Sequence, residues 1–296
     1  HGSAAITRRS NLKIQDGCSN RCAYCIIPAV RGPSRSRPLH DLAAEAEHLA
    51  RRGAKEIVLT GVNVGAYDAG GKSVADVVDR LNALEGLARI RISSIEASEI
   101  PEGLLERMGD TGHALVPFLH IPMQSGSERI LERMARPYVA AQYAAMVEKA
   151  SAAVENLCIG TDIIVGFPGE TDDDYAATLD LLERLPIAYA HVFKFSARPG
   201  TPATTFGETV SSRIMKARSE QARALSDAKR RAFIERHIGK TMSVLFEQGA
   251  GGQWSGYTPN YIRVAVRASE DLTNTLRNVR LERVSGDRAL GRVCDG

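Results

Sequence analysis

Apolar, β-branched runs alternate with segments of helical period from the N-terminus to about residue 210, six times over. The runs predict strands over Leu12–Gln15, Glu56–Thr60, Ile90–Ser94, Val116–Ile121, Ile159–Val165 and His191–Phe195. Helical patterns fill the intervals. Leu39–Arg51 carries Leu42, Ala46, Leu49 and Ala50 along one side, with Asp41, Glu45 and Glu47 early, where the helix dipole favours acids. Thr171 with Asp174 predicts a capping box opening a helix that runs to Arg184. Repeated strand–helix units imply parallel strands with right-handed crossovers. Six of them fit either an incomplete β/α barrel or an open doubly wound sheet.

The pattern changes after residue 210. Ser211–His237 reads as one long basic helix with Ile214, Leu225, Ala228 and Ala232 toward a core, ended by Gly239. Beyond it, Met242–Phe246, Tyr261–Arg267, Leu276–Arg283 and Ala289–Val293 are short alternating runs separated by Gly, Asn, Pro and Asp turn signals, which predicts a small antiparallel β barrel or sandwich. The expected division is a large domain over 4–238 and a small one over 239–296. His1-Gly2-Ser3 reads as a tag scar, and because strand pattern begins almost at once, further sequence is expected upstream.

Composition narrows the class. Hydrophobic residues at 44% and charged residues at 25% exclude disorder. No run approaches the ~20 apolar residues of a membrane span, and no signal-peptide core opens the chain, so a cytoplasmic protein without membrane contact is expected. The net charge of +3 is unevenly spread: −4 over 1–210, +6 over 211–240 and +1 over 241–296. The run Lys229-Arg230-Arg231 is, on charge alone, the solvated face of a helix.

Three of the five cysteines, Cys18, Cys22 and Cys25, fall within eight residues directly after the first strand. An odd count in a cytosolic setting argues against disulfides, and a reactive thiol would not need three. A structural zinc site wants four ligands, and no second pair or nearby histidine completes one. Three thiolates on one short loop suit a cubane iron–sulfur cluster with one open iron. The rival is a non-catalytic, zinc-stabilised RNA-binding module. In β/α barrels functional residues lie at the C-terminal strand ends, and here those ends are polar: Thr60–Asn63, Ser93–Glu96, Pro122–Ser127, Gly166–Glu170 and Ser196–Thr201.

The spacing Cys-x3-Cys-x2-Cys, with Tyr24 before the last cysteine, resembles the signature of the radical S-adenosylmethionine superfamily. The resemblance implies a partial (β/α)6 barrel, a 4Fe-4S cluster on the three cysteines and S-adenosylmethionine at the open iron, cleaved by one electron to a 5′-deoxyadenosyl radical. Residues 12–296 further resemble the methylthiotransferases, through Ile14–Cys18, Cys25–Pro28, Arg31-Gly32 with Ser36-Arg37, His120–Ser127, Ile164–Thr171 and Ser196–Pro202. Ile57–Gly61 and Arg89–Ser98 look most similar to the branch that methylthiolates carbon 2 of threonylcarbamoyladenosine, at adenosine 37 beside the tRNA anticodon. The branches acting on isopentenyladenosine or a ribosomal protein are the alternatives, and a radical enzyme on a small metabolite would have no use for a terminal RNA-binding barrel.

The resemblance carries further expectations. The Thr60-Gly61 segment faces the methionine amino group; Ser94, Glu96, Gln124 and Arg198 offer polar contacts; Tyr24, Asp162, Val165 and Phe195 line the adenosyl site. The last domain resembles the TRAM barrel, which implies RNA binding there; Trp254 beside Arg263 suits base stacking next to a cationic track, and Lys229, Arg230 and Arg231 of the basic helix are expected to supply phosphate contacts. More conservative readings stand beside these: Glu96 could pair with Arg198, Asp162 could cap backbone groups, and Tyr261 could fill a small core. The anticodon loop of tRNA and a flavodoxin-type electron donor are the implied partners of a monomer. The family also carries an N-terminal domain with a second, auxiliary 4Fe-4S cluster. No ligands for it are found in this chain, since Cys158 reads as a packed core thiol and Cys294 is solitary.

Overall fold

The computed structural model describes residues 9–294; the tag-like His1-Gly2-Ser3 lies outside them. Six parallel strands form in chain order: β1 (Arg9–Lys13), β2 (Glu56–Thr60), β3 (Arg89–Ile92), β4 (Phe118–His120), β5 (Cys158–Val165) and β6 (Tyr189–Lys194). Backbone ladders join β1–β2–β3 and β4–β5–β6. Ile90 couples the two triplets, its N–H donating to the Ala114 carbonyl at 2.8 Å and its carbonyl accepting from Val116 at 3.0 Å. A doubly wound sheet would reverse its strand order at a switch point. The order here never reverses, and among the described residues β1 and β6 do not pair with each other, so the sheet is an open half-barrel.

Period-2 alternation sorts the side chains. Leu12, Ile57, Leu59, Ile90, Ile92, Leu119, Ile159 and Ile163 are buried in the outer core, beneath α1 (Ile27–Arg31), α2 (Leu39–Arg51), α3 (Val74–Asn82), α4 (Leu104–Gly109), α5 (Glu128–Arg133), α6 (Ala140–Ala153) and α7 (Asp172–Arg184). The alternate positions Arg9, Asn11, Val58, Arg91, Ser93, His120 and His191 face the lumen. The capping box expected at Thr171 forms, its hydroxyl accepting from the Asp174 N–H at 3.3 Å.

The long helix α8 (Ser212–Glu235) forms, but on a different face from the one its apolar residues suggested. Arg218, Ser219, Ala222, Ser226, Phe233 and Ile234 are buried, while Ile214, Ala228 and Ala232 are exposed. The reason is the sheet edge. β6 presents unpaired backbone groups there, and Ser226 satisfies both groups of Ala190, accepting its N–H at 2.8 Å and donating to its carbonyl at 2.9 Å. Arg223 donates to the Val192 carbonyl at 3.1 Å. Polar residues on this helix take the place expected of apolar ones.

The small unit is a closed five-stranded barrel of β7 (Thr241–Ala250), β8 (Gln253–Tyr257), β9 (Arg263–Arg267), β10 (Leu276–Ser285) and β11 (Arg288–Val293), in the order β8-β9-β11-β10-β7. It is antiparallel except for the β9–β11 pair, which is parallel at Val264 and Ala289 and corrects the wholly antiparallel expectation. Strand β8 follows a Gly251-Gly252 turn in which both glycines have positive φ, the geometry that a two-residue hairpin favours. The barrel seats on the N-terminal ends of the half-barrel strands and shares a core with them: Phe118, Cys158 and Tyr189 pack with Phe233, Val244, Phe246, Val264 and Leu281. Cys158 is thus a core thiol, its pKa pushed up to about 12 by burial.

Polar contacts lock this seat. Arg89 donates to the Tyr257 and Ser243 carbonyls, each at 2.8 Å, and Arg91 donates to that of Pro259 at 3.0 Å. Both arginines flank the fully buried Glu56, which Arg91 engages at 2.7 and 3.3 Å. Burial alone would raise the Glu56 pKa, but Arg91 and Arg89 outweigh it and hold the carboxylate below its usual range.

Candidate active site at the C-terminal strand ends

The cysteine loop follows β1, with Gln15-Asp16 at its base paired antiparallel to Arg35-Ser36, and turns at Gly17. Gly17 has φ +71°, and a Cβ there would lie 2.1 Å from the Pro33 carbonyl oxygen, so only glycine fits. The loop is tied down on several sides. Cys18 N–H donates to the Gly32 carbonyl at 3.1 Å, Cys25 N–H to that of Cys22 at 3.0 Å, and Ala23 N–H to that of Met134 at 2.8 Å. Gln15 staples it to the next strand end: its Nε2 donates to the Gly17 carbonyl at 2.7 Å, and its Oε1 accepts from the Val62 and Asn63 N–H groups at 3.0 and 2.9 Å. Gly61 lies against Gln15 closely enough that an added Cβ would be 3.1 Å from Oε1.

Arg136 was not expected from the sequence. It follows α5 and Ala135, which has φ +54°. Its guanidinium donates to Cys22 Sγ and Tyr24 Oη, each at 3.3 Å, and to Tyr138 Oη at 3.0 Å, and it is ion-paired with Glu96. One buried cation thus gathers a cysteine, two phenols and a carboxylate. A lone arginine after a helix carries no periodicity by which to recognise it. Glu96 accordingly pairs with Arg136, not with Arg198. Burial raises both the Glu96 and Glu99 carboxyls, with Arg136 offsetting part of the cost at Glu96 and Asn63 at Glu99.

A cavity of about 210 Å³ opens beside the loop, lined by Tyr24, Gln124, Asp162, Ile164, Phe195 and Arg198 among others. Gln124 sits at φ +64°, a left-handed conformation uncommon for a non-glycine residue. Its backbone is fixed by the Asp162 carbonyl at 2.8 Å and the Ile164 N–H at 2.9 Å. Asp162 meets His120 Nε2 at 3.0 Å, where a backbone cap was the conservative reading. A second recess of about 380 Å³ is lined by Lys13, Ile27, Arg31, Thr60, Gly61 and Val62. Asn63 Oδ1, Glu99 Oε2 and Arg136 Nε are buried without a partner among the described residues.

The sequence profile of the Radical SAM superfamily matches residues 12–182, the stretch that supplies the cysteine loop and the first five strand ends. The chain belongs to this superfamily. Its curated relatives include the threonylcarbamoyladenosine tRNA methylthiotransferases of Chlamydia pneumoniae, 36% identical over 96% of this chain and 68% of its own length, and of Bacillus subtilis, 36% identical over 92% and 62%. A tRNA-2-methylthio-N(6)-dimethylallyladenosine synthase of Maricaulis maris is 35% identical over 95% and 64%. The chain therefore spans about two thirds of these relatives. Among solved structures, the radical S-adenosylmethionine methyltransferase TsrM of Kitasatospora setae superposes with TM-score 0.53 at 16% identity, covering 83% of this chain and 39% of TsrM. Coproporphyrinogen III oxidase of Escherichia coli superposes with TM-score 0.52 at 15% identity, covering 87% and 68%. At these identities the superpositions show the fold alone.

A radical SAM fold implies a 4Fe-4S cluster and S-adenosylmethionine, and the residues present fit both. The donor set is three cysteines on one loop with a buried cation beside Cys22, which suits a cubane with one open iron better than the four-ligand site of structural zinc. A cubane needs only separate thiolates on one loop. Arg136 supplies a charge-assisted donor to one of them, and the orphaned polar atoms face the same rim. Of the residues expected to hold the cofactor, Tyr24, Gln124, Asp162, Phe195 and Arg198 line one cavity and Thr60 and Gly61 the other. Ser94 and Glu96 lie on the loop after β3. Val165 is the last residue of β5. Its side chain is fully buried in the outer core with Ile163, since it falls on the helix-facing register of β5, and only its carbonyl is engaged nearby, by Phe195 N–H at 2.9 Å.

The three residues of the basic run sit in different surroundings. Lys229 donates to the Glu183 and Leu185 carbonyls at the end of α7, both at 2.9 Å. Arg230 lies over the Tyr189 ring, 4.5 Å from its centroid, and faces the lumen. Only Arg231 is a solvated cation. Successive helical positions point about 100° apart, so three adjacent residues could not share one face. Trp254 lies on β8. With Arg263 and Arg288 it lines a surface groove of about 280 Å³.

Proposed function

We propose that the chain carries the radical-generating half of a tRNA methylthiotransferase acting on threonylcarbamoyladenosine. The observation that carries it is the joint occurrence of the three-cysteine loop held by Arg136, Gln15 and Gly17 with a small barrel that offers an aromatic and two arginines in one groove. Cys18, Cys22 and Cys25 would hold the cluster. When bound, the cluster and S-adenosylmethionine supply the one-electron chemistry that opens an unactivated C–H bond. The protein's part is placement: Glu96, Gln124, Asp162 and Arg198 present polar groups, and Tyr24 and Phe195 present flat apolar ones. The Trp254–Arg263–Arg288 groove would receive single-stranded RNA by stacking beside a cationic track.

The test is anaerobic reconstitution with iron and sulfide, followed by incubation with S-adenosylmethionine, a reductant and tRNA. About four irons per chain and formation of 5′-deoxyadenosine are expected. Sulfur insertion needs an auxiliary cluster for which Cys158 and Cys294 offer no site, so no methylthiolated nucleoside is expected in tRNA digests from these residues alone. Stoichiometric zinc with no iron uptake would overturn the reading.

A further inference from the structure

A cavity of about 890 Å³ occupies the lumen of the half-barrel between the rim and the small barrel. It is separate from the rim cavities, and one contact links it to the first of them: His120, on its wall, is paired with Asp162, on the wall of that rim cavity. Its volume falls within the ~300–1,000 Å³ usual for small-molecule sites, enough for a splayed-out nucleobase with a substituent. Phe193 of β6, 53% exposed, stands at the side where β1 and β6 fail to close.

The charges on this wall are not equivalent. Arg9 is paired with Glu247, and Arg91 with Glu56. Arg230 makes no ion pair or hydrogen bond among the described residues. It is half-buried, its guanidinium laid on the Tyr189 ring, and beside that ring stand His191 at 5.2 Å and His120 at 6.3 Å between centroids. Burial, His120 and Arg230 lower the His191 pKa, so the imidazole is neutral at neutral pH and can donate or accept. A half-buried, pre-oriented guanidinium with neutral hydrogen-bonding neighbours matches a carboxylate, which takes the fork bidentately. An apolar substituent would leave the cation desolvated and unpaired, which selects against it.

We propose that this cavity receives the target base together with an anionic, amino-acid-bearing substituent, and that Arg230, on its Tyr189 platform beside His191, is the specificity-determining residue that binds the substituent's carboxylate. The proposal rests on the tRNA reading above and goes further: it says why a threonylcarbamoyl group would be chosen over the apolar dimethylallyl group that other relatives carry in their names.

The experiment is a binding comparison on the reconstituted chain, using anticodon stem-loop RNAs that bear threonylcarbamoyladenosine or dimethylallyladenosine at the same position, read by fluorescence anisotropy. The wild type is expected to favour the threonylcarbamoyl RNA on the order of tenfold, the worth of one charge-assisted hydrogen bond. Arg230→Leu should bring that ratio close to one, and Arg230→Lys, which keeps the charge but not the fork, should retain part of it. Thermal melting of both variants separates this from misfolding. A wild-type ratio at or below one, or a ratio unaltered in Arg230→Leu, overturns the proposal while leaving RNA recognition standing. Failure to bind either RNA, with no cleavage of S-adenosylmethionine, overturns the parent reading and this one with it.

Discussion

At the floor of the half-barrel Glu56, Arg89 and Arg91 are buried, and each charged group is matched: two arginines on one carboxylate, with the remaining donors on three carbonyls of the small barrel. At the rim Glu96, Glu99, Asn63 and Arg136 use the same residue chemistry, yet a carbonyl oxygen, a carboxylate oxygen and a guanidinium N–H are left over in buried positions. Native proteins pair nearly all buried polar atoms. A matched network closes a structure. A network with spare capacity, set around a cysteine loop, is what the proposed ligand site requires. On the function proposed above, the two ends of one sheet separate the residues that hold the fold from those that would hold the chemistry.

Substitution at the cysteine loop tests the rim most severely. Cys22→Ala should reduce iron from about four per chain to near none after reconstitution and abolish 5′-deoxyadenosine formation. Its thermal midpoint should stay near that of the wild type without cluster, because Cys22 contributes little to the core. Retention of a full cluster would show that other ligands are used.

Glu56→Gln is the corresponding break at the floor, and its cost should appear in stability instead. Removing one member of a buried ion network leaves the others uncompensated, at about 3–5 kcal/mol, which corresponds to a drop on the order of 10 °C in Tm for a chain of this size. Differential scanning calorimetry checks it. A near-neutral result would mean that Arg89 and Arg91 are satisfied by the carbonyls alone.

Arg136 makes the comparison quantitative, because it is a rim residue that positions others without being a cluster ligand. Arg136→Met should still take up iron. Loss of a cationic donor to a thiolate disfavours the reduced, more negative cluster, so its potential should fall by on the order of 50 mV, or about 1.2 kcal/mol for one electron. Redox titration followed by electron paramagnetic resonance reads the shift, and Arg136→Lys should restore part of it. An unchanged potential would reduce Arg136 to a structural tie between Glu96 and Tyr138.

Much of this contrast was legible in the sequence, and the exceptions have physical causes. Strand Glu56–Thr60 and helix Leu39–Arg51 form with the predicted bounds because both alternate cleanly and end at turn residues. Strand β8 was missed because Gly251, Gly252 and Gly256 make its surroundings read as a loop. The buried face of α8 was misjudged because Arg218 and Ser226 are buried for their hydrogen bonds, Arg218 to the Asp172 carboxylate at 2.7 Å and Ser226 to the edge strand. The cysteines were readable as a local cluster. Arg136 and Glu96 were not readable as a pair, being 40 positions apart and joined only by the closing of two strand-end loops.

A smaller, pH-dependent effect is expected where the small barrel is hinged to the core. His237 is buried; its Nδ1 lies 2.8 Å from the Phe233 carbonyl, and its Nε2 accepts from Asn260 at 2.9 Å, which fixes the neutral ring. Asn260 also donates to the Asn156 carbonyl at 3.1 Å, linking barrel and half-barrel. Burial lowers the His237 pKa, with Lys240 and Arg236 adding to it and the Phe233 carbonyl opposing. The folded state therefore binds this proton less readily than the unfolded chain. Stability is full above the ordinary imidazole value of about 6.5 and is lost as pH falls below it toward the depressed folded value, at no more than about 1.4 kcal/mol per pH unit. His191, also lowered, acts in the same sense. Urea midpoints at about pH 7.5 and about pH 5.5 should differ less in His237→Gln than in the wild type. An equal difference would place the titration elsewhere.

The smallest effect should separate Lys229 from Arg231, two positions apart on α8. Lys229 commits its ammonium to the last carbonyls of α7, orphan acceptors that a helix end leaves behind. Burial lowers its pKa accordingly. Arg231 is exposed and so is available to a phosphate. Lys229→Gln should therefore cost about 1 kcal/mol of stability and leave the salt dependence of tRNA binding as it was. Arg231→Gln should do the reverse: an unaltered melt, and a plot of log affinity against log salt that is shallower by about 0.7–0.9, the share of a single neutralised phosphate. If Lys229→Gln flattens the slope and spares the melt, the lysine leaves its carbonyls on meeting RNA, and this part of the floor belongs to the binding surface.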